Sequence, residues 1–155
     1  METSNISLSS QVAEIQLSYH PKVKLSACPK IACSRQAYSI LLEGWDKDKI
    51  EFVEQFKVMV LNRANKVIGV LLLGTGSVAG VTIDVKLIMF TAIKCNASGI
   101  VISHNHPSGN LMPSKQDKLL TQKVKEAGEI LDLPLLDHII VTQEGFFSFA
   151  DEGLL

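Results

Sequence analysis

No stretch of this sequence approaches the ~18–20 consecutive apolar residues that a membrane-spanning helix needs. The opening METSNISLSS has no basic segment followed by an apolar one, so no secretory signal is read and a cytoplasmic location is expected. Cysteine is scarce: Cys28, Cys33 and Cys95 are an odd number without an export signal, which argues against a disulfide framework. Cys28 and Cys33 have no second Cys/His pair at ligand spacing, so they read as reduced bystanders rather than half of a structural zinc site. An excess of positive charge is also missing. Fifteen Lys and Arg stand against sixteen Asp and Glu, a net charge of −1, whereas nucleic-acid-binding domains usually show a basic excess or stripe. The densest basic stretch, KVKEAGE, alternates sign and reads as a solvated helix face. Nucleic acid stays open as a partner, but the charge does not indicate it. Internal repeats and low-complexity tracts are absent.

What is present is an ordinary globular composition, 46% hydrophobic and 20% charged, in 155 residues, enough for one domain with a buried core. Residues 1–10 are polar and Ser-rich and are expected to be disordered; residues 11–155 form the domain. The alternation in VAEIQLSY predicts a strand over 12–19, and Pro21 and Pro29 break the next stretch into a loop. Ser34 reads as the N-cap of a helix running to Glu43, closed by Gly44, with Trp45 anchoring the loop beyond. A strand is predicted over 51–61, with Glu54, Phe56, Val58 and Val60 on one face and Gln55, Lys57 and Met59 on the other. VIGVLLLG (67–74) predicts a buried strand, GTGSVAG a turn bordering the cleft, and 81–84 a further short strand. An amphipathic helix follows over 86–97, with Gly99 as its cap or the turn after it. Strands at 99–103 and 137–142 flank a helix over 114–131, and the three phenylalanines of FFSFADEGLL are expected to pack back on the body. This order describes an α/β or α+β domain, a sheet covered by helices.

The chemistry is carried by HNHPSGNLMPSKQD. His104 and His106, two apart at a strand end, project from the same face because side chains alternate. Pro107, Ser108 and Gly109 turn the chain away, with Asn105 shaping the same loop, and Asp117 falls in the first turn of the next helix. Two imidazoles and a carboxylate give zinc three ligands and leave one position for water, the catalytic pattern. Ser114-x-x-Asp117 is equally a helix-capping pattern, so spacing leaves both readings standing. Glu54 shares a strand face with apolar residues, where a carboxylate is costly unless compensated. It is either the exposed end of the strand or a general base in a partly desolvated cleft. His138, at the start of a late strand, reads as a core histidine or one that orients a neighbour, since a fourth ligand would close the site. His20, beside Pro21, reads as a surface residue.

Glu54, His104-x-His106-Pro107, with seven residues between His106 and Ser114, then x-x-Asp117 resembles the JAMM motif of MPN-type metalloproteases. The frame around it, HNHPSGNLMPSKQD, LLDHIIVT and the terminal SFADEGLL, is similar to the RadC family over roughly residues 34–155. The resemblance implies a single-domain JAMM/MPN-like sandwich around a curved, mostly antiparallel sheet flanked by helices. It implies one zinc per chain on His104, His106 and Asp117, Glu54 as the base acting on water in the open position, and Ser114 stabilising the oxyanion. The implied activity is hydrolysis of an amide bond in a peptide or protein substrate. A second reading, a DNA repair or recombination accessory factor with a non-catalytic metal site, follows from the family's association with DNA. Two departures bear on it: longer members carry an N-terminal helix-hairpin-helix region for which these 155 residues leave no room, and Val85-Lys86-Leu87 stands where many members show an Arg-Glu pair. Strand edges leave a homodimer open.

Overall fold

The computed structural model describes residues 19–77 and 80–155. The disordered tail expected over 1–10 and the strand expected over 12–19 lie outside the described residues, apart from Tyr19, whose hydroxyl donates to the Ile68 carbonyl (3.2 Å). The elements run α1 (Ser34–Glu43), β1 (Gln55–Leu61), β2 (Val67–Thr75), α2 (Val85–Lys94), β3 (Gly99–Asn105), α3 (Lys115–Ile130), β4 (Leu135–Val141) and β5 (Phe146–Ser148). They build one five-stranded sheet in the order β2-β1-β3-β4-β5. Only the β3–β4 pairing is parallel; the other three are antiparallel. This is the mostly antiparallel α/β sandwich expected. No helix among the described residues is long and apolar enough to cross a membrane.

Alternation along β1 divides its side chains between two cores. Phe56, Val58 and Val60 face α2 and α3, meeting Ile88, Ala92 and Val124 together with Ile100 and Ile102 of β3. Met59 and Leu61 face α1, meeting Leu41, Trp45, Val101 and Ile139. Lys57 lies on this second side, buried. Its Nζ donates to the Gly44 carbonyl (2.7 Å) and sits 4.1 Å from the Trp45 ring centroid, so a cation–π contact and one hydrogen bond replace part of its hydration. Covered on both faces, β1 and β3 are buried throughout. The C-terminal phenylalanines pack back as expected: Phe149 is buried and stacks on His138 (4.6 Å between centroids), and Phe146 stacks on Tyr38 (4.7 Å).

Several boundaries differ from the sequence expectation, each for a local reason. The strand expected from 51 begins at Gln55, because the Asp46 carbonyl accepts the Lys49 and Ile50 amides and winds 46–53 into turns. β2 is a strand but not a buried one. Among the described residues it forms the sheet edge, with Val70, Leu71 and Leu72 43–46% exposed; an apolar run does not say how many neighbours a strand will have. The strand expected over 81–84 is an unpaired extended segment, and Asp84 instead caps α2 by accepting the Lys86 amide (2.9 Å). α2 then ends at Lys94, and Asn96 takes the left-handed conformation (φ 50°) assigned by expectation to Gly99, which starts β3. Ser34 is the first residue of α1 rather than its cap. The N-cap is Cys33, without a side-chain bond; Gln36 Oε1 accepts the Ala32 amide (2.7 Å), and the Ser34 hydroxyl donates to Asp151.

Gly128, inside α3, lies where the chain doubles back after Asp132 (φ 53°). The Leu133 amide donates to the Gly128 carbonyl (2.8 Å), and a Cβ on residue 128 would stand 2.3 Å from the Leu133 carbonyl oxygen. Helix propensity alone favours alanine there by about 1 kcal/mol, whereas forcing backbone apart in a packed region costs ~1–3 kcal/mol. Gly128→Ala is therefore expected to destabilise the protein. A lower urea midpoint at unchanged slope checks this, and a raised midpoint would contradict it.

Candidate metal centre

The site is assembled at one end of the sheet by β3, the first turn of α3 and the entry to β1. His104 is 1% exposed near the end of β3, and His106 follows just beyond, its amide still donating to Val141 of β4 (3.2 Å). That residual pairing keeps the alternation through residue 106, so the two rings share a face, with Nε2 atoms 2.9 Å apart. Asp117 reaches them from α3, Oδ1 lying 3.2 Å from His104 Nε2 and Oδ2 3.7 Å from His106 Nε2. One atom from each of the three residues falls within a 4.8 Å span, so the three predicted ligands are brought together.

Capping and site geometry coexist in Asp117. Its Oδ2 accepts the Ser114 amide (2.6 Å) while Ser114 Oγ accepts the Asp117 amide (3.1 Å), a reciprocal capping box. The helix start therefore locks the carboxylate while Oδ1 stays turned to His104. Ser114 spends only oxygen lone pairs in this cap, and it lines the same cleft as Glu54, His106 and Asp117, an open hollow of about 740 Å³. Glu54 stands one residue before β1, half-buried, its amide donating to Ser77 (3.0 Å) and its carbonyl accepting from Gly76 (2.8 Å). It is thus both a strand-end residue and a cleft residue.

Asn105, between the histidines, points to the opposite face and is buried. Its Oδ1 accepts the Gln55 amide (2.6 Å) and its Nδ2 donates to the Ile50 and Val53 carbonyls (2.7 and 2.9 Å). It clamps the segment carrying Glu54 onto the histidine strand, a larger role than the loop-shaping one expected. Strand alternation predicts that it faces away from the histidines, but its partners, some fifty residues earlier in the chain, could not be foreseen. His138 lies behind His104 rather than in the cleft, buried, with Nε2 2.9 Å from His104 Nδ1. His20 is exposed, as expected.

Residues 31–154 match the pattern of the RadC-like JAB domain. The chain belongs to that family. Similar proteins include the UPF0758 proteins of Flavobacterium johnsoniae (48% identical over 101 residues, 65% of this chain and 44% of that protein) and Thermotoga maritima (46% over 102 residues, 66% and 46%). The UPF0758 protein YeeS of Escherichia coli is 38% identical over 102 residues, 66% of this chain and 69% of that protein. The chain spans less than half the length of the first two.

In this RadC-like JAB domain the donor chemistry fits a cation. His106 Nδ1 is 2.5 Å from the Asn110 carbonyl, which can only accept, so in the neutral ring the proton lies on Nδ1 and the lone pair on Nε2. That lone pair, His104 Nε2 and a carboxylate converge on one point, the set suited to a three-ligand zinc site. Charge in the cleft follows the same geometry. Burial of Asp117 would raise its pKa, but hydrogen bonds with His104 and His106, reinforced by the Ser114 side chain, hold it well below the usual carboxylate range. Burial would lower His106, and the Asp117 and Asn110 hydrogen bonds outweigh it, so its pKa is raised. For Glu54 burial dominates and pushes the carboxyl up, against the opposing pull of His104 and His106.

The two shifts next to each other set a stability window for the metal-free domain. Asp117, depressed on folding, contributes stability above its unfolded value of 3.8 that is lost in acid. His106, raised on folding, contributes below its unfolded value of 6.5 and loses that contribution as pH rises through the folded pKa. With a chelator present, Tm is expected to fall from about pH 6.5 toward pH 8, while below 6.5 the buried, neutral His138 loses stability as the pH drops and opposes the His106 gain. Thermal scans across this range check the sign, and a Tm still climbing from pH 6 to 8 would contradict it.

Proposed function

We propose that this chain is a zinc-dependent hydrolase that cleaves an amide bond in a peptide or protein substrate. The observation that supports it most is the convergence of His104, His106 and Asp117 beside an open cleft lined by Glu54, His106 and Asp117. Zinc, when bound by these three, supplies a Lewis acid and a water acidified toward neutral pH. The remaining work falls to the chain. Glu54, its proton affinity raised by burial, accepts a proton from the attacking water and delivers it to the leaving amine nitrogen. Ser114, whose hydroxyl oxygen already serves the helix cap, has its O–H to donate to the oxyanion as charge develops there. Asn105 holds the Glu54 segment against the histidine strand, which limits loss of alignment between base and metal ligands.

The test is the metal content of untagged protein by mass spectrometry. About one zinc per chain is expected in the wild type and little in His104→Ala. A wild type that retains no zinc after the metal has been supplied would sink the proposal. Zinc also reverses the pH trend of the metal-free domain. Because the metal displaces the proton from the imidazoles, the rise in Tm on adding zinc should grow from pH 6 to 8.

A further inference from the structure

Behind the cleft, four groups form an unbroken line into the core. The Thr121 hydroxyl lies 2.6 Å from the Asp117 backbone carbonyl and 2.7 Å from His138 Nδ1. His138 Nε2 lies 2.9 Å from His104 Nδ1, and His104 Nε2 faces His106 and Asp117. Thr121, His138 and His104 are all buried, so no solvent rearranges their protons. Thr121 is four residues after Asp117, on the same side of α3, while Phe149 stacks on the His138 ring and holds its plane.

Each proton in this line is assigned by the contact before it. A carbonyl oxygen can only accept, and two oxygens 2.6 Å apart repel unless a proton lies between them, so the single Thr121 hydroxyl proton points to Asp117. Thr121 Oγ1 then meets His138 as an acceptor, which places the His138 proton on Nδ1. The His138 ring is fully buried against Phe56 and Phe149 and hydrogen-bonds Thr121 and His104, neither of them a carboxylate that would hold a second proton, so its Nε2 carries a lone pair and the adjoining His104 Nδ1 must hold the proton between them. What is left on His104 is Nε2, the nitrogen that can turn a lone pair to a cation at the point where His106 and Asp117 converge.

We propose that His138 and Thr121 are positioning residues: through hydrogen bonds ordered outward from the Asp117 carbonyl, they hold His104 in the Nδ1–H tautomer with its Nε2 lone pair presented to the metal. The use made of that lone pair rests on the zinc reading above; the ordering of the protons does not. The arrangement also ties two ligands to one strut, since the helix turn that carries Asp117 anchors the line that orients His104. Outer partners of this kind typically change metal affinity by about 10- to 100-fold.

The experiment has two arms on the full chain. Long-range ¹⁵N–¹H correlation spectra of the histidine rings should show His138 protonated on Nδ1 and bare on Nε2 in metal-free and zinc-loaded protein alike, and His104 protonated on Nδ1 and bare on Nε2 once zinc is bound. A His138 proton on Nε2 would overturn the proposal, whether or not zinc binds. In the second arm, zinc affinity is measured against a competing chelator. Thr121→Val, which keeps the shape and removes the hydroxyl, should weaken zinc by about 10-fold or more, and Thr121→Ser should restore it. His138→Gln, which retains an acceptor and a donor, should lose less than His138→Leu. Equal zinc affinity in Thr121→Val and wild type, with both folded, would overturn the positioning role while leaving the zinc site intact. A wild type that binds no zinc at all would instead overturn the hydrolase reading, and the ring spectra would still decide the proton order.

Discussion

Glu54→Gln is expected to keep about one zinc per chain and to lower amide hydrolysis by about 10²- to 10⁴-fold, roughly 3–5 kcal/mol of transition-state stabilisation. The substitution is nearly isosteric and leaves the backbone bonds to Ser77 and Gly76 in place, so the fold and the three ligand side chains should be undisturbed. What it removes is the basic oxygen that burial has made more receptive to protons. The split between retained metal and lost turnover is what identifies a base. Equal loss of both would make Glu54 a structural or ligating residue, and unchanged turnover would remove it from the chemistry altogether. Wild type and variant are compared on the same peptide library, with zinc content measured on the same samples.

The second large effect is expected at Asp117. Asparagine keeps an oxygen able to accept the Ser114 amide, and the backbone amide of residue 117 still donates to Ser114 Oγ, so the capping box survives. It loses the negative charge that faces His104 and His106, and part of its favourable interaction with the helix N-terminus, worth about 0.3–1 kcal/mol. Zinc affinity should fall by at least about 100-fold, beyond what outer-partner changes usually cost. With a chelator present, at a pH above the raised pKa of His106, stability should move by no more than about 1 kcal/mol. Affinity by chelator competition and stability by urea unfolding check the two halves. A large stability loss with zinc binding intact would make Asp117 a capping residue only.

Much of the centre was legible because ligand chemistry and backbone periodicity are local. His104 and His106 share a face because they are two apart on one extended segment, and Asp117 falls in a first helical turn because Ser114 caps it three residues earlier. Alternation along 55–61 likewise placed Phe56, Val58 and Val60 on one face, confirmed by their common core with α2 and α3. Local signals failed where the answer lay in a partner. VIGVLLLG reads as buried, but among the described residues β2 pairs with β1 alone, and its centre is open to solvent. The extended 81–84 found no strand to pair with. Gly99 looked like a cap, but Asn96 turned the chain first, leaving the glycine to β3.

The sequence by itself determined the residue types and spacing of the centre, the family and the class of fold, because each depends on side-chain chemistry and on periods of two or four residues. Only the tertiary structure decided what surrounds those residues. The parallel pairing of β3 with β4 brings His138 beside His104, thirty-four residues away in the chain, and the packing of α3 against β4 sets Thr121 against the far side of that ring. The antiparallel pairing of β1 with β3 sets Glu54 by the histidines, and Asn105 fastens it there. Such contacts arise from strand order and register, which are properties of the whole sheet and leave no mark on the spacing within any one segment.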